Sequence, residues 1–366
     1  VAVSEQTTWD ERGTTPDRIE AALRRLLHER HAEDTSLVPA RVLNLVVIAD
    51  REWKGEIINR LERVGRYHAS RTILCTVSEQ RSGIDARVVL SSQSEGSGIG
   101  VVTEWVELDL GEDAIARIDT ILDPLLVAEL QTVLWSPHSR DDAVEALLEM
   151  IDVILIDTDD AAYFDGPGAA LARSWELQDR TYVVDLAWLR TTPWRERLAA
   201  AFDDPSRRSE LPAIANVAVR HNPGSLTSAL LLTGWLASRL GWQPEPLVAT
   251  VGGAYRGTAA AQRSGGPHAA AFSGIVGFDF EPVQQAAPGI AGVTVGTDYG
   301  FSLSLDRGRG GLIARQRRPA PTPAREWRVL GASRGEGGIL GEGVRQALLR
   351  DATYRPAIAY ARRFQP

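Results

Sequence analysis

Leu43-Asn44-Leu45-Val46-Val47-Ile48 is a short, β-branched apolar run, the pattern of a buried strand. Upstream of it, Thr15-Pro16-Asp17 opens a helix to about residue 30, with Thr15 as cap and Pro16 in the first turn. Ile19, Ala22, Leu23, Leu26 and Leu27 form its apolar stripe. Residues 1–13 are polar and are expected to fray. Downstream, a helix near 52–64 leads to a strand over 72–77. Strands over 86–92 and 101–110, joined by a glycine- and serine-rich link, pair as an antiparallel hairpin. A helix over 113–122, a strand over 130–135, a helix over 141–149 and a strand over 153–157 complete the series. Strand and helix thus alternate, which predicts a mostly parallel sheet flanked by helices with one antiparallel excursion.

Residues 160–245 read as mainly helical and carry Trp175, Trp188, Trp194, Trp235 and Trp242. After Pro246 the composition shifts to Gly, Ala and Ser. Short runs over 278–280, 292–295, 301–305, 312–315 and 327–330 predict an antiparallel sheet, with a turn over 306–311, an exposed loop over 317–323 and a closing helix over 342–350. The expected organisation is α/β. A flexible N-terminus (1–14) precedes an α/β domain (15–160) with a mixed, mostly parallel sheet flanked by helices. A helical, Trp-rich segment (161–245) and a C-terminal antiparallel α+β domain (246–366) follow.

Composition removes several functions. A chain of 366 residues exceeds the ~250–300 at which single cores stop growing. Its net charge of -8, from 48 acids against 40 bases, disfavours nucleic-acid binding through clustered positive charge. Lys54 is the only lysine and lies between Trp53 and Gly55, so the phosphate-binding P-loop and the lysine-dependent kinase and β-lactamase motifs are missing. Cys75 is alone, which rules out an intrachain disulfide and suits a reducing compartment. The longest uncharged apolar stretch, about 223–238, falls short of the ~20 residues that span a bilayer. Val1-Ala2-Val3-Ser4 lacks a signal pattern. The expectation is a cytoplasmic protein that binds neither nucleic acid nor membrane.

Local motifs give no complete catalytic set. Gly331-Ala332-Ser333-Arg334-Gly335 fits a nucleophile elbow, but the required histidine must follow it and none comes after His268. A glycine-rich turn is the better reading. Val153-Ile154-Leu155-Ile156-Asp157-Thr158-Asp159 resembles the first motif of Mg²⁺-dependent phosphohydrolases, with Asp157 attacking phosphorus and Asp159 handling the proton. The further acidic pair that chemistry needs has no place in the sequence, and capping of the next helix competes as an explanation. His28 and His31 could share a metal but lack a third ligand; His68, His138, His221 and His268 have no partner nearby in sequence. Gly96, Gly98 and Gly100 precede a strand, not the helix start that holds a pyrophosphate. Gly335-Glu336-Gly337-Gly338 carries the wrong charge for a phosphate cradle. No catalytic residue, metal or cofactor is assigned. The stretch Asp185 to Arg195 packs two tryptophans and two arginines together. It reads as a helical corner with buried indoles, as a recognition surface, since Trp and Arg dominate binding hot spots, or as a Trp-lined sugar pocket.

Asp185-Leu186-Ala187-Trp188 with Pro193-Trp194 resembles the OpcA family, the glucose-6-phosphate dehydrogenase assembly proteins. Arg71-Thr72-Ile73-Leu74-Cys75, the strands at 130–135 and 152–157, and the stretches 201–208 and 232–242 agree in kind and order. The likeness covers roughly residues 15–250. It implies a non-catalytic activator that binds glucose-6-phosphate dehydrogenase and favours its active oligomer or conformation in the oxidative pentose phosphate pathway. Paired-cysteine redox control, associated with some members, has no counterpart in a chain with Cys75 alone. The family supplies no catalytic residues. By residue type and motif, Trp188, Arg190, Trp194 and Arg195 are the expected contacts to the dehydrogenase. A sugar-phosphate ligand at the carboxyl end of the first sheet is a further expectation.

Overall fold

The computed structural model describes residues 5–35, 37–39, 41–65, 69–94, 100–138, 140–160, 162–208, 210–261, 274–319, 321–330 and 335–365. The elbow-like 331–334, His68, His268, Gly96 and Gly98 lie outside the described residues. In chain order the first elements are β1 (Glu5–Glu11), α1 (Pro16–Glu33), β2 (Leu37–Pro39), β3 (Leu43–Asp50), α2 (Lys54–Gly65) and β4 (Ser70–Ser78). Next come β5 (Ile84–Ser94), β6 (Gly100–Gly111), α3 (Ile118–Leu122), β7 (Thr132–Trp135), α4 (Asp141–Leu147) and β8 (Val153–Ile156). They continue with α5 (Gly166–Leu177), β9 (Tyr182–Asp185), α6 (Leu186–Phe202), α7 (Pro205–Arg208), β10 (Ile214–His221) and α8 (Leu226–Leu240). After β11 (Trp242–Pro244), β12 (Val248–Ala249) and β13 (Tyr255–Ala261) come β14 (Ile275–Pro282), β15 (Ile290–Thr297), β16 (Ser302–Gly308), β17 (Gly311–Arg317) and β18 (Arg325–Leu330). Two helices, α9 (Gly335–Ala347) and α10 (Tyr354–Ala361), close the series. Contacts divide the chain into two compact units, one of Val1–Ile156, Arg180–Val184 and Leu340–Leu349, the other of Asp157–Asp179, Asp185–Ile339 and Arg350–Pro366.

The first unit is built on a sheet of order β1-β5-β6-β4-β3-β7-β8-β9, with β2 beside β6. From β6 through β4, β3 and β7 to β8 every pairing is parallel, and β5–β6 is the expected antiparallel hairpin. The unbroken apolar runs follow from burial on both faces: in β3 only Asp50 escapes it. Cys75 in β4 is fully buried, and burial pushes its thiol up to about 12, so no reactive thiolate is available at neutral pH. One expectation needs correction. Within the N-terminal stretch expected to be flexible, Glu5–Glu11 forms a strand paired antiparallel to β5 from Glu5↔Ser92 to Glu11↔Ala86. A strand held by backbone hydrogen bonds at a sheet edge needs no apolar side chains, so polarity hid it.

The second unit carries a sheet of order β11-β13-β14-β10-β15-β16-β17-β18, with β12 beside β13. It is mixed, not antiparallel as expected, because β10 runs parallel to β14 while pairing antiparallel with β15. Strand β10 stands where the sequence predicts mainly helix, because Ala215 and Ala218 blur its alternation with buried Val217 and Val219. Residues 161–245 form no domain of their own; most supply the helical layer of this unit. That layer covers Val217, Val219, Phe278, Phe280, Val293, Val295, Leu303 and Leu305, all nearly inaccessible. Phe278 meets Phe364 edge-on at 4.9 Å and Trp242 at 5.9 Å between ring centroids. Among the described residues no helix is long and apolar enough to cross a membrane.

Helices α8 and α10 approach so closely at Gly234 that a Cβ there would collide with the Ala357 carbonyl oxygen and lie 2.7 Å from the Ala361 nitrogen. Gly234→Ala would gain about 1 kcal/mol of helix propensity, but the obstacle is backbone and overpacking of this kind costs about 1–3 kcal/mol. The expected result is a lower urea midpoint for the Ala variant and a much lower one for Gly234→Leu; an unchanged midpoint for both would refute the close approach.

Candidate functional site

The Asp157-Thr158-Asp159 turn organises one end of the second unit. Asp157 receives both ends of the Arg190 guanidinium, Nη1 at 2.7 Å and Nη2 at 2.6 Å. Arg190 also donates to Glu336, from Nη2 at 2.6 Å and Nε at 3.2 Å. Burial opposes the charge on Arg190, yet the Asp157 and Glu336 carboxylates hold its pKa well above the usual value. Asp159 accepts the Ser228 backbone N–H at 3.0 Å and the Ser228 hydroxyl at 2.5 Å. Ser228 lies in the first turn of α8, so Asp159 satisfies an otherwise unpaired helix N–H and places negative charge at the positive end of the dipole. Acidic capping therefore does explain the motif, but the helix capped is α8, far along the chain, and not the next one. Burial and the adjacent Asp157 carboxylate raise the Asp159 carboxyl above the ordinary range.

Between these contacts lies Asp185, fully buried. Its Oδ1 accepts the backbone N–H groups of Thr158 at 3.1 Å and Ala187 at 3.0 Å, the latter capping α6. Its Oδ2 accepts the hydroxyls of Thr158 at 2.7 Å and Tyr354 at 2.9 Å, and Tyr354 in turn is 2.8 Å from the Ser174 hydroxyl. Burial, reinforced by the Asp157 charge, pushes the Asp185 carboxyl up to about 6 despite these donors. One carboxylate therefore joins the turn after β8 to α5, α6 and α10. The sequence places Asp185 inside the family-like motif but cannot show this role, since Thr158 and Tyr354 are distant in the chain.

The four expected contact residues are inward-facing. Trp188 and Trp194 are 2% and 1% exposed, and the Arg190 and Arg195 side chains 6% and 12%. Trp188 donates its Nε1–H to Asp351 at 2.8 Å, and the Arg195 guanidinium lies 3.5 Å above its ring. Burial pushes Arg195 down to about 10, partly offset by Asp351. The corner expected over 185–195 is a single helix, α6, with Pro193 inside it. The segment forms a buried joint within the second unit.

In the first unit, the chain turns to opposite sides of β3 at its β4 and β7 neighbours, the position where doubly wound sheets bind ligands beyond the strand carboxyl ends. Here that position is occupied by side-chain pairs. Arg140 contacts Glu112 at 2.6 Å, Asp50 at 3.0 Å and Asp142 at 3.0 Å. Lys54 contacts Glu107 at 2.8 Å and Asp109 at 3.2 Å. Arg140 draws the Glu112 carboxyl below its usual range; burial would raise Asp109, but Thr76 and Lys54 bring it below as well. The turn after β3, Asp50-Arg51-Glu52-Trp53-Lys54, has no glycine cradle for a pyrophosphate. A sugar phosphate there would have to displace carboxylates from both cations.

Among the described residues no group of three or more His, Cys, Asp or Glu side chains is arranged to hold a metal. His28 and His31 are exposed on α1. His138 lies tilted against Trp53, 4.5 Å between ring centroids. His221 is buried, with Nδ1 2.8 Å from the Asn222 carbonyl, and burial lowers its pKa.

A raised carboxyl pKa in the folded state means that ionisation works against folding. For Asp185 this penalty is absent below about pH 4, grows as pH rises and is complete above about pH 6, where it amounts to roughly 3 kcal/mol. Asp185→Asn can keep the N–H acceptor and reorient the two hydroxyls. The expected result is that Asp185→Asn loses less stability than wild type between pH 4.5 and 7, whereas Asp185→Ala, which orphans four donors, is strongly destabilised at every pH. Parallel pH curves for wild type and the Asn variant would contradict the burial of a titrating carboxylate.

Two family models match this chain in order. The glucose-6-phosphate dehydrogenase subunit N-terminal domain matches residues 62–175, and the corresponding C-terminal domain matches residues 181–358. Among curated relatives, OpcA of Synechocystis sp. is 27% identical over 239 residues, covering 63% of this chain and 49% of the relative. OpcA of Synechococcus elongatus is 33% identical over 206 residues, covering 54% and 45% respectively. The chain thus spans about half the length of the curated relatives it matches. Among solved structures, the 3-ketoreductase KijD10 of Actinomadura kijaniata gives a TM-score of 0.49 at 9% identity, over 87% of this chain and 95% of that one. With both domain models matched in sequence order and the relatives agreeing, the chain belongs to the OpcA family.

Proposed function

We propose that this chain is a non-catalytic partner of glucose-6-phosphate dehydrogenase that favours the active oligomer or conformation of that enzyme in the oxidative pentose phosphate pathway, acting in the cytoplasm. The matching of two dehydrogenase-subunit domain models carries the choice of partner. The occupied state of the acidic turn supports a role in binding over one in turnover. In the competing phosphohydrolase reading Asp157 would attack phosphorus, yet both of its oxygens are engaged by Arg190 and both oxygens of Asp159 by Ser228. The buried set Trp188, Arg190, Trp194 and Arg195 then acts indirectly, by holding α6 and the turn in place, while exposed side chains make the contact.

Activation requires tighter binding to the active dehydrogenase than to the inactive one, because equal affinity shifts no population. A tenfold preference corresponds to about 1.4 kcal/mol. The test is NADP reduction by the cognate dehydrogenase at sub-saturating glucose 6-phosphate, titrated with this chain, with size-exclusion light scattering on the same mixtures. A saturable rise in rate with co-elution is expected, and no turnover by the chain alone. Absence of both rise and complex, with both proteins folded, would sink the proposal. EDTA-sensitive phosphatase activity lost in Asp157→Asn would replace it with the phosphohydrolase reading.

A further inference from the structure

The second unit's sheet is covered by helices on one face only. Its other face carries the small residues Ala218, Gly292, Thr294, Gly296, Ser302 and Ser304 near its middle, with the Arg220–Asp306 pair lying over Gly292, Asn216 over Gly296, and further charges to either side. The strand registers align one row straight across it: Arg256 on β13, Asp279 on β14, Ala218 on β10, Thr294 on β15, Ser304 on β16, Arg315 on β17 and Glu326 on β18. Read outward from Thr294, the charges are negative then positive on one side, positive then negative on the other. In the neighbouring row the inner pair repeats the relation, with Arg220 and Asp306 on opposite sides of Gly292, whereas the outer Glu281 corresponds to Ile313 and Arg328 has no acidic counterpart. The outer charges are well exposed: Arg256 73%, Asp279 43%, Arg315 47% and Glu326 59% of their side chains.

We propose that this face binds a second copy of the chain, face to face, about a two-fold axis running along β15. That axis sets Asp279 against Arg315 of the other copy, Arg256 against Glu326, Arg220 against Asp306 and Thr294 against itself. Every charge in the row meets its opposite. A two-fold interface must be complementary to itself, and a face chosen for an unrelated partner has no reason to be antisymmetric about its own middle strand. Within each copy, Arg256 pairs with Asp279 at 2.9 Å, Arg315 with Glu326 at 2.8 Å and Arg220 with Asp306 at 2.7 Å. Association therefore stacks oppositely ordered ion pairs along these positions, while Glu281, Arg317 and Arg328 on the same face meet no opposite charge and keep their heads in water at its margin. Six strand spacings of about 4.8 Å and six residues of about 3.3 Å span roughly 29 by 20 Å, about 600 Å² in plan, below the roughly 800 Å² per partner of a standard interface and in the range of a weak, salt-sensitive dimer.

Sedimentation equilibrium of the whole chain tests this, with melting temperature as the control for folding. Wild type is expected to dimerise, more weakly as salt is raised. Thr294→Arg, which sets two cations together on the axis, should be monomeric. Asp279→Arg alone and Arg315→Asp alone should each weaken dimerisation by about tenfold or more, and the double variant should recover most of the loss, because both crossed pairs are then reversed together. Thr294→Cys should give a covalent dimer with a short bismaleimide, Cys75 being buried. A folded wild type that stays monomeric, a Thr294→Arg chain that still dimerises, or failure of the double variant to recover would each overturn the proposal. Loss of dehydrogenase binding in Thr294→Arg, with wild type monomeric, would instead give this face to the enzyme.

Discussion

Four donors, from the adjoining start of α6 and from two segments distant in the chain, converge on the Asp185 carboxylate, and the second unit's ordered end depends on that convergence. The N–H and hydroxyl of Thr158 fix the turn after β8, the Ala187 N–H starts α6, and the Tyr354 hydroxyl brings in α10. With the turn fixed, Asp157 meets Arg190 and Asp159 meets the first turn of α8. A buried carboxylate is expensive unless its lone pairs are used; here all are, yet desolvation still dominates the titration of the group.

This arrangement explains why a motif that resembles a phosphohydrolase signature is consistent with an association role. D-x-D after an apolar strand places two carboxylates at one turn, and that geometry suits helix capping and arginine binding as well as phosphoryl chemistry. What separates the uses is whether the oxygens are free to reach a substrate. In this chain they are committed to Arg190 and Ser228, and the equivalent ligand position in the first unit is filled by Arg140 and Lys54 with their carboxylates.

Much of the first unit was legible in the sequence because parallel strands buried on both faces produce dense apolar runs, as in Leu43–Asp50 and Val153–Ile156. The polar edge strand Glu5–Glu11 was not, since backbone pairing leaves no trace in side-chain periodicity. Nor was β10, where alanines dilute a half-buried alternation and the parallel partner β14 lies far downstream. The Trp188-to-Arg195 segment stood out by residue type, but type alone could not tell an exposed hot spot from a buried joint; the partners that bury it, Asp351 and Tyr354, lie at the far end of the chain. The charge row on the open sheet face was equally invisible, since it exists only once seven strands are placed in register.

The central claim, a carboxylate buried at the meeting point of turn and helices, is tested most directly by following the ¹³Cγ resonance of Asp185 through a pH titration, assigned with Asp185→Asn. The structure predicts a midpoint near 6. A midpoint at the ordinary aspartate value of about 3.9 would show a solvated side chain and contradict the account.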